Sequence, residues 1–124
     1  MNRTRGHDHL VGVALATIHG IVLLVTSHGL GMSRDEGFYV SAAEQSAGWF
    51  DELLRDPDSA WTKESIDRHW EYNHEHPALM KSLAAVSVLA QRAWRWLPYD
   101  SMAYRFPGIL TAALMSWLLY IFGA

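Results

Sequence analysis

The sequence predicts an all-α integral membrane protein with a transmembrane helix, an extracytoplasmic loop containing amphipathic interfacial helices, and a second transmembrane helix. Three observations support this fold class. Half of the 124 residues are hydrophobic. Residues 10–30 and 106–124 contain no Asp, Glu, Lys or Arg. Apart from Arg3, Arg5 and Asp8, every charged side chain lies between these two stretches, in residues 31–105.

The first apolar stretch is long enough to cross a bilayer. Its 21 residues, Leu10 to Leu30, would cover about 30 Å as a helix with a rise of about 1.5 Å per residue. A cleaved signal peptide is the alternative, because Arg3 and Arg5 form a basic segment before the apolar run. The run is longer than a typical signal peptide core, and no small-x-small cleavage site follows it, so we prefer an uncleaved transmembrane helix.

The second apolar stretch, residues 106–124, runs to the last residue of the sequence without a polar flank. We therefore expect an N-terminal fragment of a longer multi-pass membrane protein. Arg3 and Arg5 predict a cytoplasmic N-terminus at residues 1–9, which places residues 31–105 outside the cytoplasm. The expected location is the plasma membrane or the bacterial inner membrane.

The composition of the loop excludes several function classes. Residues 31–105 are mildly acidic, which argues against a nucleic-acid partner. The chain contains no cysteine, so it has neither a disulfide framework nor a thiolate zinc site. Membrane lipids are the partners that this composition favours.

The first loop helix is predicted at about residues 34–54. Ser33 and Glu36 have the S-x-x-E spacing of a capping box, and small or apolar residues then recur at helical spacing. The sequence Asp56-Pro57-Asp58 is predicted to end this helix. A short helix around Thr62–Trp70 is predicted to follow.

The second loop helix is predicted at about residues 77–97. Pro77 fits the first turn, where its missing N–H costs nothing, and Pro98 closes the helix. An apolar stripe with tryptophans and arginines near its end is typical of a helix at a lipid interface. The stripe consists of Met80, Leu83, Val86, Ala90, Trp94 and Leu97.

Two polar clusters at the starts of these helices are candidate functional sites. In the first, Asp35 is a candidate general base and Glu36 is its neighbour, although plain helix capping also explains both residues. In the second, His76 and Lys81 lie beside a helix N-terminus, a combination that attracts phosphate. The nearby Glu75 opposes an anion unless a divalent metal bridges the carboxylate and the phosphate.

A protein-only metal site is an alternative for the loop between the helices, where five potential ligands crowd together. Their spacing matches no zinc signature. These residues are His69, Glu71, His74, Glu75 and His76. Of the remaining histidines, His7 and His9 are expected to be solvated, while His19 and His28 are expected to face helices that the sequence does not contain.

The order of these motifs resembles the N-terminal region of the protein O-mannosyltransferases and the related lipid A aminoarabinose transferases, which are polytopic GT-C glycosyltransferases. The matching segments cover nearly the whole chain in order: a first span, Asp35-Glu36-Gly37-Phe38-Tyr39, His76-Pro77-Ala78-Leu79-Met80-Lys81, and Arg105-Phe106-Pro107. Ala78 stands where the group has a second proline. Met80 stands where the mannosyltransferase branch has a glycine.

The resemblance implies a function and assigns roles to residues. It implies transfer of a sugar from a polyprenyl-phosphate donor to a hydroxyl of a protein or lipid acceptor, with inversion. Asp35 becomes the general base, Glu36 its positioning neighbour, and His76 and Lys81 the groups that hold the donor phosphate. In the aminoarabinose branch a glutamate at the position of Glu75 helps to bind a metal.

Two other classes of function remain open at the level of the sequence. One is a non-catalytic two-span module whose loop of histidines and acidic residues senses metal or pH. The other is a structural two-span protein whose polar groups only cap helices and solvate the interface.

Overall fold

The computed structural model describes residues 2–31 and 33–123, with side chains from residue 6 onward. In this part of the chain all regular secondary structure is α-helical, which confirms the predicted all-α class. The helices are α1 (Asn2–Ser27), α2 (Arg34–Arg55), α3 (Pro57–Ala60), α4 (Lys63–Trp70), α5 (Ala78–Trp94) and α6 (Asp100–Gly123).

The chain divides into two compact units. The first comprises Met1–Leu30 and Gly108–Ala124, and the second comprises Gly31–Pro107. Met1 and Ala124, the outer ends of the predicted N-terminus and second span, lie outside the described residues.

Two helices are long and apolar enough to span a membrane. Within α1 the candidate span is Gly6–Ser27, with a mean hydropathy of 2.1, and α6 provides Asp100–Gly123, with a mean hydropathy of 1.6. Only 11% of each apolar window is buried inside the protein, so both helices expose apolar side chains. This surface indicates a membrane protein, because bilayer lipid can cover it.

Within the first unit, glycines of α1 lie beside side chains of the C-terminal part of α6. A Cβ atom at Gly12 would lie 2.6 Å from Cδ1 of Trp117, and one at Gly20 would lie 3.4 Å from Cβ of Ala113. Glycine at position 12 therefore permits a close approach that a larger residue would block.

His19 and His28 both have polar contacts within the chain, and their expected contact with helices that the sequence does not contain stays a prediction. His19 was expected to face an absent helix, but its Nδ1 lies 2.6 Å from Oγ of Ser116 on α6. His28 was given the same expectation, and its Nδ1 lies 2.6 Å from the carbonyl oxygen of Val25, one turn earlier. Both histidines thus find hydrogen-bond partners within the chain.

In the second unit, α2 packs against α5 through faces of small residues. The buried face of α2 includes Ala43 and Ala47, and that of α5 includes Ala85 and Val88. Small side chains allow the two backbones to approach closely. Helices α3 and α4 follow α2 in the sequence, and both pack against it. Helix α4 is the short helix that the sequence predicted.

Helix α5 begins and ends inside the predicted range of 77–97. Pro77 is the N-cap residue rather than part of the first turn, and Arg95 ends the helix in a left-handed conformation with φ 46°. The buried Gln91 then bonds both backbone groups of Leu97, accepting from its N–H at 2.9 Å and donating to its carbonyl at 3.0 Å. Leu97 is consequently buried and leaves the predicted exposed stripe.

Helices α1 and α6 both start earlier than the sequence predicted. Residues from Asn2 onward are already helical, although residues 1–9 were predicted as a flank. Helix α6 begins at Asp100, so Pro107 lies inside the helix rather than at its start. The proline cannot donate to the carbonyl four residues earlier, at Ala103, and the helix continues without that bond.

Candidate functional site

The N-terminal cap of α2 fixes the position of Asp35. As the sequence predicted, Ser33 and Glu36 form a capping box. The Glu36 N–H donates to Oγ of Ser33 at 3.3 Å, and the Ser33 N–H donates to Oε2 of Glu36 at 2.8 Å. Asp35 therefore lies in the first helical turn with an exposed side chain.

The turn before α5 fixes the position of His76. Asn73 has a left-handed backbone with φ 58°, a conformation that asparagine tolerates better than most residues. Its carbonyl oxygen accepts two hydrogen bonds, from the His76 N–H at 3.1 Å and from Nζ of Lys81 at 2.9 Å. The turn is thus tied both to its own end and to the first turns of α5.

Asp35 and His76 line one open cleft of about 490 Å³ in the second unit. The sequence-predicted residues Asp35, Glu75 and His76 are brought together here from the start of α2 and from the turn before α5. We call this feature the Asp35–His76 cleft. Its lining residues are Asp35, Phe38, Tyr39, Asn73, Glu75 and His76.

An aromatic contact joins the two sides of the cleft. The ring of Tyr39 meets the imidazole of His76 edge to face, with 5.3 Å between ring centroids, a favourable arrangement. Nδ1 of His76 and Nδ2 of Asn73 are both buried, and neither has a hydrogen-bond partner among the described residues. Buried polar nitrogens without partners are uncommon, so the cleft retains unused hydrogen-bonding capacity.

Glu36 does not line this cleft. Its carboxylate accepts two hydrogen bonds from Arg105 of α6. Nε donates to Oε1 at 2.8 Å, and Nη2 donates to Oε2 at 2.9 Å. The hydrogen bond from Arg105 lowers the pKa of Glu36 to about 2, with a further contribution from the Ser33 N–H. A carboxylate so strongly stabilised as an anion is a poor proton acceptor, and the predicted positioning role of Glu36 beside Asp35 stays a prediction.

The Glu36–Arg105 pair borders a second, smaller cavity of about 70 Å³. Arg105 is 15% exposed and also donates from Nη2 to the Gly31 carbonyl at 3.1 Å. The arginine that the sequence places at the start of a span therefore ties α6 to the N-terminus of α2.

Lys81 does not reach the cleft. It is 5% exposed, and its ammonium is used by the Asn73 carbonyl. In this structure Lys81 therefore holds the turn before His76, and its expected role in binding a phosphate stays a prediction.

Glu75 lies close to two histidine side chains. Its carboxylate lies 3.7 Å from Nδ1 of His76 and 3.8 Å from Nδ1 of His74, and the Glu75 side chain is 63% exposed. Across residues 2–31 and 33–123, no three His, Asp or Glu side chains are arranged to hold a metal ion. The metal that the resemblance implies for Glu75 therefore stays a prediction.

Two contributors to the site escaped the sequence analysis. Asn73 shapes the turn and lines the cleft, and the only local signal is that asparagine favours left-handed turn positions. Arg105 restrains Glu36, a contact between residues far apart in the sequence that no local pattern reveals.

The fold and site define an all-α protein that has two helices able to span a membrane and, in the unit Gly31–Pro107, a polar cleft. Comparison of the sequence with protein-family profiles and curated proteins, and of the fold with solved structures, finds no match.

Proposed function

We propose that this chain contributes the acceptor-activating part of a membrane glycosyltransferase that moves a sugar from polyprenyl phosphate to an extracytoplasmic acceptor hydroxyl. The observation that carries the proposal is the Asp35–His76 cleft. It brings an exposed carboxylate and an imidazole from separate elements to one opening of about 490 Å³, a size typical of small-molecule sites. The motif order described above supports the same reaction class.

The proposed chemistry is a single displacement. Asp35 accepts the proton of the acceptor hydroxyl as that oxygen attacks the anomeric carbon of the donor sugar. The bond between the anomeric carbon and the phosphate oxygen breaks, and polyprenyl phosphate leaves with the electron pair. His76 donates a hydrogen bond to a phosphate oxygen and so stabilises the leaving group.

The start of α5 supports binding of the phosphate. This helix has no side-chain cap, so its first backbone N–H groups remain available, and the positive end of the helix dipole favours an anion. With Lys81 engaged at Asn73 and Arg105 engaged at Glu36, His76 and the helix terminus are the groups we assign to the phosphate.

A lipid-linked donor requires the cleft to lie at the membrane surface, and the surface of α5 supports that placement. The exposed side chains of this helix form an apolar stripe, and its buried face includes Lys81, Ser87 and Gln91. The stripe comprises Leu79, Leu83, Val86 and Trp94, which are 68%, 41%, 52% and 77% exposed. We propose that this stripe lies in the outer lipid interface.

The role of Asp35 is tested by Asp35→Asn in membranes that contain the protein expressed from its complete natural reading frame. We expect transfer of radiolabelled mannose or aminoarabinose from polyprenyl phosphate to fall about 100-fold or more, the usual contribution of a general base. Asp58→Asn, which changes an exposed carboxylate on α3, is the matched control and retains transfer. Full activity in Asp35→Asn would show that the base is assigned wrongly.

The alternative of a non-catalytic metal-sensing module makes a different prediction. It requires tight binding of zinc or copper by residues 59–81 without any lipid phosphate. Titration calorimetry of the purified protein with Zn²⁺ separates the two functions, because the glycosyltransferase proposal needs no such binding.

A further inference from the structure

The corner between α5 and α6, residues 94–99, lies at the opposite end of α5 from the Asp35–His76 cleft. We call it the α5–α6 corner, and the proposed reaction uses none of its side chains. Three exposed aromatic rings and an exposed guanidinium on one short corner are typical of an interaction surface. The four side chains are those of Trp94, Arg95, Trp96 and Tyr99.

The corner is held in place from its inner side. The buried amide of Gln91 bonds both backbone groups of Leu97, and its Nε2 also donates to Oδ1 of Asp100 at 3.0 Å. One side chain thus connects the last turns of α5, the corner and the first residue of α6. The exposed side chains are therefore presented by an ordered backbone, which lowers the entropy cost of binding a ligand there.

The corner lies beside the start of the apolar part of α6. Arg105 is the last charged residue before the charge-free residues 106–124. The ring of Trp96 meets that of Phe106 edge to face, with 4.6 Å between ring centroids. For a helix that spans a bilayer, this level is the boundary between hydrocarbon and headgroups, where tryptophan and tyrosine are enriched.

Arg95 gives the corner a positive charge. Within residues 2–31 and 33–123 no carboxylate forms an ion pair with Arg95, whereas the nearby Arg92 is paired with Glu44. The backbone of Arg95 is left-handed with φ 46°, a conformation that glycine adopts most readily at the end of a helix. The chain therefore keeps this arginine side chain at a conformational cost.

We infer that the α5–α6 corner binds the headgroup of an anionic phospholipid. The guanidinium of Arg95 donates paired hydrogen bonds to the lipid phosphate. The rings of Trp94 and Trp96 lie against the glycerol and the upper acyl chains, as amphipathic rings do at this depth. An anionic lipid is preferred to a zwitterionic one because its headgroup has no cation to offset the attraction between the phosphate and Arg95.

This lipid site goes beyond the proposed transfer reaction and does not depend on it. Helix α5 has 17 residues and is about 25 Å long, so the lipid site and the cleft are separate places on the protein. A lipid bound at the corner would fix the C-terminal end of α5 at the membrane surface, whatever the cleft does at the other end.

The site is tested by native mass spectrometry of the intact protein, released from nanodiscs that contain equal amounts of phosphatidylglycerol and phosphatidylcholine. The measured quantity is the ratio of the two lipids retained by the protein. We expect Arg95→Gln to lower the ratio of phosphatidylglycerol to phosphatidylcholine about fivefold, the discrimination that one basic side chain gives at an anionic surface.

Two further variants control for folding and for net charge. Arg95→Gly should lower the ratio equally, and it should unfold thermally at no lower temperature than the unmodified protein in phosphatidylcholine nanodiscs, because glycine suits the left-handed backbone. Arg55→Gln, which removes an exposed arginine from the last turn of α2, is the matched control and should keep the ratio.

Two results would overturn the inference. One is an unchanged lipid ratio in both variants of Arg95. The other is an equal fall in Arg55→Gln, because the overall charge of the protein, rather than the corner, would then select the lipid.

Discussion

At the scale of single residues, the structure separates two adjacent carboxylates. Successive residues on an α-helix point about 100° apart, so Asp35 lines the open cleft while Glu36 turns toward Arg105. The bidentate contact lowers the pKa of Glu36 to about 2, so we assign the proposed proton transfer to Asp35. The sequence analysis placed both carboxylates at one candidate site, and no local pattern indicates that Arg105 would bind Glu36.

The Glu36–Arg105 pair is expected to stabilise the fold. Glu36→Gln removes the charge of the acceptor and keeps its size, and we expect the free energy of unfolding at pH 7 to fall by about 1–2 kcal/mol, since Glu36 is partly exposed. Arg105→Met in the Glu36→Gln background should then cost little more, because the pair is already broken. Thermal unfolding in detergent, followed by tryptophan fluorescence, measures both effects.

The pH dependence of this pair has a defined sign. The pKa of Glu36 falls from an ordinary value of 4.5 to about 2 on folding, so the stabilisation is complete above the ordinary value. It is lost as the pH falls from about 4.5 toward 2. Glu64→Gln, an exposed change on α4, serves as the control, and equal acid sensitivity in the Glu36→Gln variant would contradict the assignment.

At the scale of helices, patterns along the sequence predicted the existence of α2, α4 and α5 but not all of their ends. The Ser33–Glu36 capping box is local and predicted the start of α2. The end of α5 depends on Arg95 in a left-handed conformation and on the bonds from Gln91 to Leu97, which form only when the following segment folds back. The sequence therefore predicted the C-terminal end of α5 at residue 97, three residues later than the observed end at Trp94.

The face that α5 buries also could not be deduced from the sequence alone. Lys81 was expected beside a phosphate because it follows His76 closely, yet it lies on the face that packs toward α2 and the turn before α5. Ordinary burial rules disfavour an enclosed lysine. The Asn73 carbonyl, exposed by a left-handed turn, provides the partner that makes this position acceptable.

The exposed stripe of α5 predicts contact with lipid. Because these 124 residues contain no cysteine, Val86→Cys and the water-exposed control Glu64→Cys can each carry a single spin label in this chain without background. In nanodiscs we expect the label at position 86 to be accessible to oxygen and shielded from a water-soluble nickel reagent, and the label at position 64 to show the reverse. Nickel access at position 86 equal to that at position 64 would contradict interfacial placement.

At the scale of the whole molecule, apolar and polar functions are divided between two units. The unit formed by α1 and the C-terminal part of α6 presents apolar helices of membrane-spanning length. The unit Gly31–Pro107 contains the Asp35–His76 cleft. Composition predicted this division, because charge is confined almost entirely to the segment between the apolar stretches.

The central claim is that Asp35 and His76 face one cleft on the outer side of the membrane. It is tested most directly with an Asp35→Cys/His76→Cys variant in intact cells, treated with a short, membrane-impermeant bifunctional maleimide and examined by mass spectrometry. The account predicts a link between positions 35 and 76 without permeabilisation. Separate labelling of the two cysteines without a link, or reaction only after permeabilisation, would contradict it.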